Sequence, residues 1–343
     1  MKRIFFLLSI FALLTGCKNQ EVEFDDFAYQ GVYFPFQSPV RTIILGDEAE
    51  GDNSIDRDRA FSVGVAIGGM YHNDRDREVA IELAPELADN ITNSEGDTLV
   101  ILPADYYTAT FDRITIPEGS FFGKLRVDLE DAFFEDPDAI DLKYVIPLRI
   151  TDGFGDTVLS GSPSSVIEDP DPRIAGDWEI PPKNYTLFGI QYINPLHGVY
   201  LLRGRTINTT ASPQDTVVYS TRFLTDNDMA KLTTKSLTES VMSTMGGVNK
   251  DGKYQMLLSF DETRQDITIA PLNETSVIVS GTGKYFTKDD ADAESYAEFR
   301  HRTIYLDYTY EDGGSTFHAM DSLVFIDTDV KFEEFQVVVL DAK

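Results

Sequence analysis

Residues 183–204, KNYTLFGIQYINPLHGVYLLRG, hold the densest run of aromatic and aliphatic side chains beyond the first twenty positions, and their reading decides the fold of the second half. Asn194-Pro195-Leu196-His197 is turn chemistry, and Tyr185 to Ile193 and Gly198 to Thr206 flank it as strands. In the first strand Phe188, Ile190 and Tyr192 share one face, while Tyr185, Leu187, Gln191 and Ile193 share the other. Neither face is cleanly polar, so the pattern predicts a hairpin covered on both sides.

Outward from this stretch the period-2 alternation recurs in both directions. Downstream it marks strands at Thr216 to Thr221, Tyr254 to Phe260, Ile267 to Pro271, Ser276 to Gly281, Thr303 to Tyr310, Phe317 to Phe325 and Phe335 to Leu340. Thr225 to Met245 reads as a helical or irregular excursion, with Asp226 or Asn227 as its N-cap. Upstream, Gly31 to Phe36, Arg41 to Leu45, Phe61 to Ile67, Glu78 to Leu83, Thr110 to Ile116, Phe122 to Leu129 and Tyr144 to Ile150 are strand-like. About seven short strands in roughly 125 residues predict an antiparallel sandwich. Prolines and glycines crowd 153–182, and Glu168-Asp169-Pro170-Asp171-Pro172 cannot continue a central strand. The expected organisation is therefore all-β. An Ig-like sandwich spans 29–152, a semi-rigid linker 153–182, and a β-barrel or second sandwich 183–343.

The N-terminus fixes the compartment. Lys2 and Arg3 precede an apolar run, Ile4 to Leu14, too short to span a bilayer of about 30 Å as a helix. Leu14-Thr15-Gly16-Cys17 follows and resembles a bacterial lipobox, which implies that 1–16 is removed and Cys17 is lipidated. The acyl chains would then hold the protein to the membrane through buried methylenes. A polar, acidic tether over 17–28 resembles the stretch that sends Bacteroidetes lipoproteins to the outside of the outer membrane. Cys17 is the only cysteine, so no intrachain disulfide can form.

The 58 acidic and 29 basic residues give a net charge of −29, which disfavours nucleic acid and anionic membrane surfaces as partners. Neutral sugars carry no such penalty. His72, His197, His301 and His318 lie in no metal or nucleophile spacing, and no phosphate loop or nucleophile elbow is present, so neither a catalytic role nor a cofactor is expected. A pair of carboxylates suited to glycoside hydrolysis is always available among so many acids, and the pattern singles none out. Asp52 to Asp58, Asp74 to Asp76 and Asp289 to Glu294 read as solvated acidic loops rather than calcium sites, since none has the spaced loop with a distal Glu.

A glycan would present C–H faces to rings and hydroxyls to amides, carboxylates and guanidinium groups. Candidate rings are Tyr106, Tyr107, Trp178, Tyr185, Phe188, Tyr192, Tyr200, Tyr285, Tyr296, Tyr305, Tyr308 and Tyr310.

Several ordered motifs carry a family resemblance. In the first half they are Phe61-Ser62-Val63-Gly64-Val65, Leu102-Pro103-Ala104-Asp105-Tyr106-Tyr107, Ile114-Thr115-Ile116-Pro117-Glu118-Gly119 and Tyr144-Val145-Ile146-Pro147-Leu148-Arg149-Ile150. In the second half they are Gly176-Asp177-Trp178, Asn184 to Phe188, Tyr192 to Pro195, His197-Gly198 and Leu201 to Gly204. Together with the lipobox, the chain resembles a family of Bacteroidetes outer-membrane lipoproteins with two domains of undefined function, encoded in polysaccharide-utilisation loci. Gly176-Asp177-Trp178 also resembles the opening of lipocalin-type barrels. The resemblance implies a non-catalytic surface protein that binds a neutral oligo- or polysaccharide beside an outer-membrane transporter complex. The alternatives are an assembly subunit of that complex and a degenerate glycoside hydrolase. Trp178, Tyr185, Tyr192, His197 and Arg203 are the expected ligand-binding residues, and Cys17 the lipidation site.

Overall fold

The fold is described from a computed structural model, covering residues 26–47, 51–249, 254–261, 263 and 265–340. The Cys17 lipidation site and the expected tether up to residue 25 lie outside the described residues.

The first half is a sandwich of two sheets. One sheet orders β1 (Gly31–Tyr33), β3 (Ala60–Gly68) and β6 (Phe122–Leu129), with short strands Thr157–Val158 and Tyr107–Thr108 at its edges. The other orders β2 (Pro39–Ile44), β8 (Tyr185–Ile193), β7 (Tyr144–Asp152), β4 (Arg77–Leu83) and β5 (Arg113–Ile116). Alternate residues from both sheets meet in one core, among them Phe61, Val63, Val65, Ile81, Ile114, Val127, Ile146 and Ile190.

The expected hairpin does not form. Tyr185–Ile193 belongs to the sandwich, antiparallel to β7 and parallel to β2, with Val145 opposite Gly189 and Ile190 opposite Arg41. The inference that it is covered on both sides holds, and the physical reason is its position between two strands of a doubly packed sheet. Phe188, Ile190 and Tyr192 face the main core, and Phe188 stacks on Phe61 at 5.4 Å. Tyr185 and Leu187 face a second cluster with Val40, Leu87, Ile91, Leu99, Val145 and Phe335. Gly189 lets that cluster pack close, since a Cβ would sit 2.6 Å from Leu142 Cδ1 and 3.3 Å from Phe335 Cε1 and those side chains would have to move.

The second half is a closed antiparallel barrel. It contains β9 (Gly198–Asn208), β11 (Asp228–Ser236), β12 (Glu239–Met242), β13 (Met256–Phe260), β14 (Asp266–Pro271), β15 (Val279–Phe286), β16 (Thr303–Asp312) and β17 (Ser315–Asp327). They pair in that order, and β17 closes the ring on β9. Between β9 and β11 runs β10 (Asp215–Tyr219), which pairs with the second half of β9 while β11 pairs with its first half. Inward positions such as Tyr200, Leu202, Leu232, Met256, Ile269, Leu306, Tyr308 and Leu323 fill the interior.

Two further expectations fail for physical reasons. The excursion at Thr225 to Met245 is mostly strand, because β11 and β12 complete the barrel wall. Asn227 caps no helix; its side chain instead accepts from Thr221 N and donates to Phe223 O and Leu224 O. The segment expected as a last barrel strand, Phe335 to Leu340, returns to the sandwich. Glu333–Glu334 pairs with β2, Val338–Val339 pairs with Ile91–Thr92, and Phe335 is buried between them. By strand pairing the sandwich therefore comprises residues up to 193 together with the tail, and the barrel lies between.

The stretch 153–182 packs closely on the sandwich. Thr157–Val158 extends one sheet, and Ser162–Pro163 pairs with Trp178–Ile180. Arg173 anchors it by donating to Leu87 O (3.1 Å) and Asp89 O (2.7 Å) while paired with Asp171.

Candidate functional site

The expected binding residues do not converge. Tyr192 is 1% exposed in the sandwich core, with its hydroxyl donating to Phe134 O at 3.1 Å. Tyr185 is buried in the second sandwich cluster, and Trp178 donates its indole N–H to Asp171 O at 2.8 Å, stitching down the 153–182 stretch. His197 belongs to the joint between the modules.

That joint is Asn194-Pro195-Leu196-His197. Asn194 Oδ1 accepts from Leu196 N, His197 N and Ser240 Oγ, and its Nδ2 donates to Ser236 O and Glu239 O. His197 Nδ1 accepts from Thr234 N at 3.0 Å, and burial lowers its pKa to about 4, so it is a neutral acceptor. Arg302 reaches in from the barrel, donating to Pro195 O (2.7 Å) and His197 O (3.1 Å) and lying 3.8 Å from the Phe325 ring centroid. This part of the opening stretch joins the two modules.

Of the expected residues, only Arg203 lines a groove suited to a ligand. The outward side chains of five neighbouring strands, β15, β16, β17, β9 and β10, form a shallow groove of about 590 Å³ on the barrel wall. Strand register arranges them in two rows. One runs Lys284, Tyr305, Ser322, Arg203 and the other Thr282, Asp307, Met320, Arg205, Val218. The connection between β15 and β16 folds over one side and supplies Glu294, held by Thr303 Oγ1 on its backbone N–H.

Glu294 organises the first row. Its carboxylate pairs with Arg203 and accepts from Tyr305 Oη at 3.3 Å and Ser322 Oγ at 3.5 Å. Tyr305 Oη also lies 3.1 Å from Asp292 O, and burial with the Glu294 charge raises its pKa to about 12. Tyr305 thus stays a neutral half-buried ring beside a carboxylate, a guanidinium and a hydroxyl.

Beneath the floor, on the inward face, Asp321 accepts from Tyr219 and from Tyr308 at 2.6 Å. Burial raises its pKa to about 6. Gly204 leaves room for it, since a Cβ there would meet Asp321 Oδ1 and Met320 O at 2.4 Å. Tyr305 was among the candidate rings and Glu294 lay in the acidic loop read as solvated, but Lys284 and Arg205 carried no local motif and nothing tied Ser322 to a ligand site. For Lys284, Arg205 and Ser322 the strand signal is an outward phase of alternation shared across strands as far apart as Arg203 and Ser322, whereas Glu294 sits on a connection.

A sandwich joined through Asn194 to His197 to a closed barrel with a polar, aromatic groove on its wall defines a two-module all-β architecture. A model for a domain of unknown function, DUF5627, matches residues 195–329, a model of N-terminal domains matches 26–156, and a prokaryotic membrane lipoprotein lipid attachment site matches 1–17. The chain is a membrane-anchored lipoprotein. A crystal structure from Bacteroides ovatus of unknown function is 34% identical, with 92% of this chain and 100% of that chain covered and a TM-score of 0.81. The chain belongs to that protein's family. A second B. ovatus structure of unknown function is 18% identical over 90% of this chain and 99% of that one, with a TM-score of 0.42. A multidomain B. ovatus protein including DUF1735 is 17% identical over 88% and 97%, also at 0.42. Neither of the last two bears on function. No curated protein matches the chain.

Proposed function

We propose that the protein is a non-catalytic lipoprotein at the outer face of the outer membrane, capturing glycan for a polysaccharide-utilisation system in its barrel groove. The observation that supports this reading is Tyr305, a ring held half-buried between Glu294, Arg203 and Ser322. A ring offers a face to sugar C–H groups, and the surrounding groups exchange hydrogen bonds with hydroxyls.

Calorimetry of the full chain against a glycan panel tests the reading. At least one glycan binds, and Tyr305→Ala weakens it roughly ten-fold. If none binds at millimolar concentration, the reading fails. Release of product from a bound glycan would overturn the non-catalytic part.

A second reading, an assembly subunit of an outer-membrane transporter complex, draws support from β10 and its flank, where Val218 is 64% and Met229 67% exposed. Co-purification of a transporter subunit that is lost on Val218→Asp, without glycan binding, would favour it.

A further inference from the structure

We propose that the groove selects an acidic oligosaccharide, a uronate carboxylate docking on Arg205 while a neighbouring sugar lies on Tyr305. This deepens the capture reading and rests on it. The chain as a whole carries a net charge of −29, which on its own favours neutral ligands. The groove has a different charge arrangement. Arg203 is taken by Glu294, Lys284 by Asp266, and Asp307 faces His318 Nε2 at 2.7 Å.

Arg205 alone among these groove charges has no ion pair with a described residue. Its cross-strand neighbours are Val218 on one side and Met320 on the other, and its guanidinium donates to Met320 Sδ at 3.5 Å. A thioether is a weak acceptor, so the planar fork keeps its capacity for a bidentate carboxylate. Arg205 is exposed, so a ligand reaches it directly.

The register sets the ligand's length. Arg205 and Tyr305 lie two strands and two residues apart, roughly 12 Å at ordinary strand spacing and rise. That distance asks for an oligosaccharide rather than a single sugar. Hydroxyl recognition along that length falls to Glu294, Ser322, Thr282 and the Tyr305 edge.

Calorimetry of the full chain with oligogalacturonate, oligoglucuronate and oligomannuronate, each beside its carboxyl-reduced neutral counterpart, tests the assignment. At least one acid should bind roughly ten-fold tighter than its reduced partner. Arg205→Gln should erase that difference, bringing the acid down to the affinity of its reduced partner, while Tyr305→Ala weakens both. Equal affinity within each pair, or binding confined to neutral glycans, overturns the acidic class and leaves glycan capture standing. Binding of no saccharide, acidic or neutral, overturns both.

Discussion

Among the described residues two charged groups are buried in the barrel, Arg302 and Asp321, and the molecule satisfies them in opposite ways. At the end nearest the sandwich, Arg302 gives its donors to carbonyls of the joint, Pro195 O and His197 O, and lays its plane against Phe325. Farther along the barrel, Asp321 takes its donors from Tyr219 and Tyr308, side chains of the barrel itself. The cation is spent on the seam between modules and the anion on the interior of one. A buried charge must be matched in either place, but only the first match couples two folding units.

The sharpest way to break this contrast is Arg302→Met, which keeps bulk and removes the donors. Two buried carbonyls lose their partner, and the expected cost is about 3 kcal/mol. Calorimetric melting should split into separate transitions for sandwich and barrel; a single unshifted transition would show that the seam does not depend on Arg302.

Asp321→Asn addresses the other charge through pH. The folded pKa of Asp321 is raised to about 6, so the folded state holds a proton that the unfolded chain has released. Its contribution is therefore present in acid and lost as pH rises from about 4 to 6, by about 3 kcal/mol. Urea titrations across that window should show the wild type losing stability relative to the variant as pH rises. Parallel curves would remove the carboxylate from the argument.

His197→Asn should give an effect of similar size and the opposite sign. The folded pKa of His197 is lowered to about 4, so the unfolded chain takes up a proton that the folded state refuses. Its penalty grows as pH falls from about 6.5 to 4 and should be absent in the variant, which keeps an acceptor for Thr234 N. Melting temperatures at pH 7 and pH 4.5 suffice to see it.

The same contrast explains what could be read in advance. Alternation placed Phe122–Leu129 and Tyr185–Ile193 at their observed bounds, because each strand's faces are written locally. Pairing is not local. Asn194-Pro195 has turn chemistry whether the chain doubles back or crosses between modules, and only the partners of Tyr185–Ile193, from residues 40 and 145, settle which. The β11–β12 hairpin was missed because its buried phase, Ala230, Leu232, Ser240 and Met242, mixes small and polar residues with only two large apolar ones. For the groove, Arg203 and Tyr305 were visible as residue types, whereas Glu294 enters from a connection whose path depends on the finished barrel.

The chain enters the barrel near residue 194 and is back on the sandwich by Glu333, pairing there with β2. The barrel is thus a cassette spliced into a host fold, with both of its seams on the host side. Such an insert exchanges for another of similar end-to-end spacing without rebuilding the host, so one scaffold can carry different barrels.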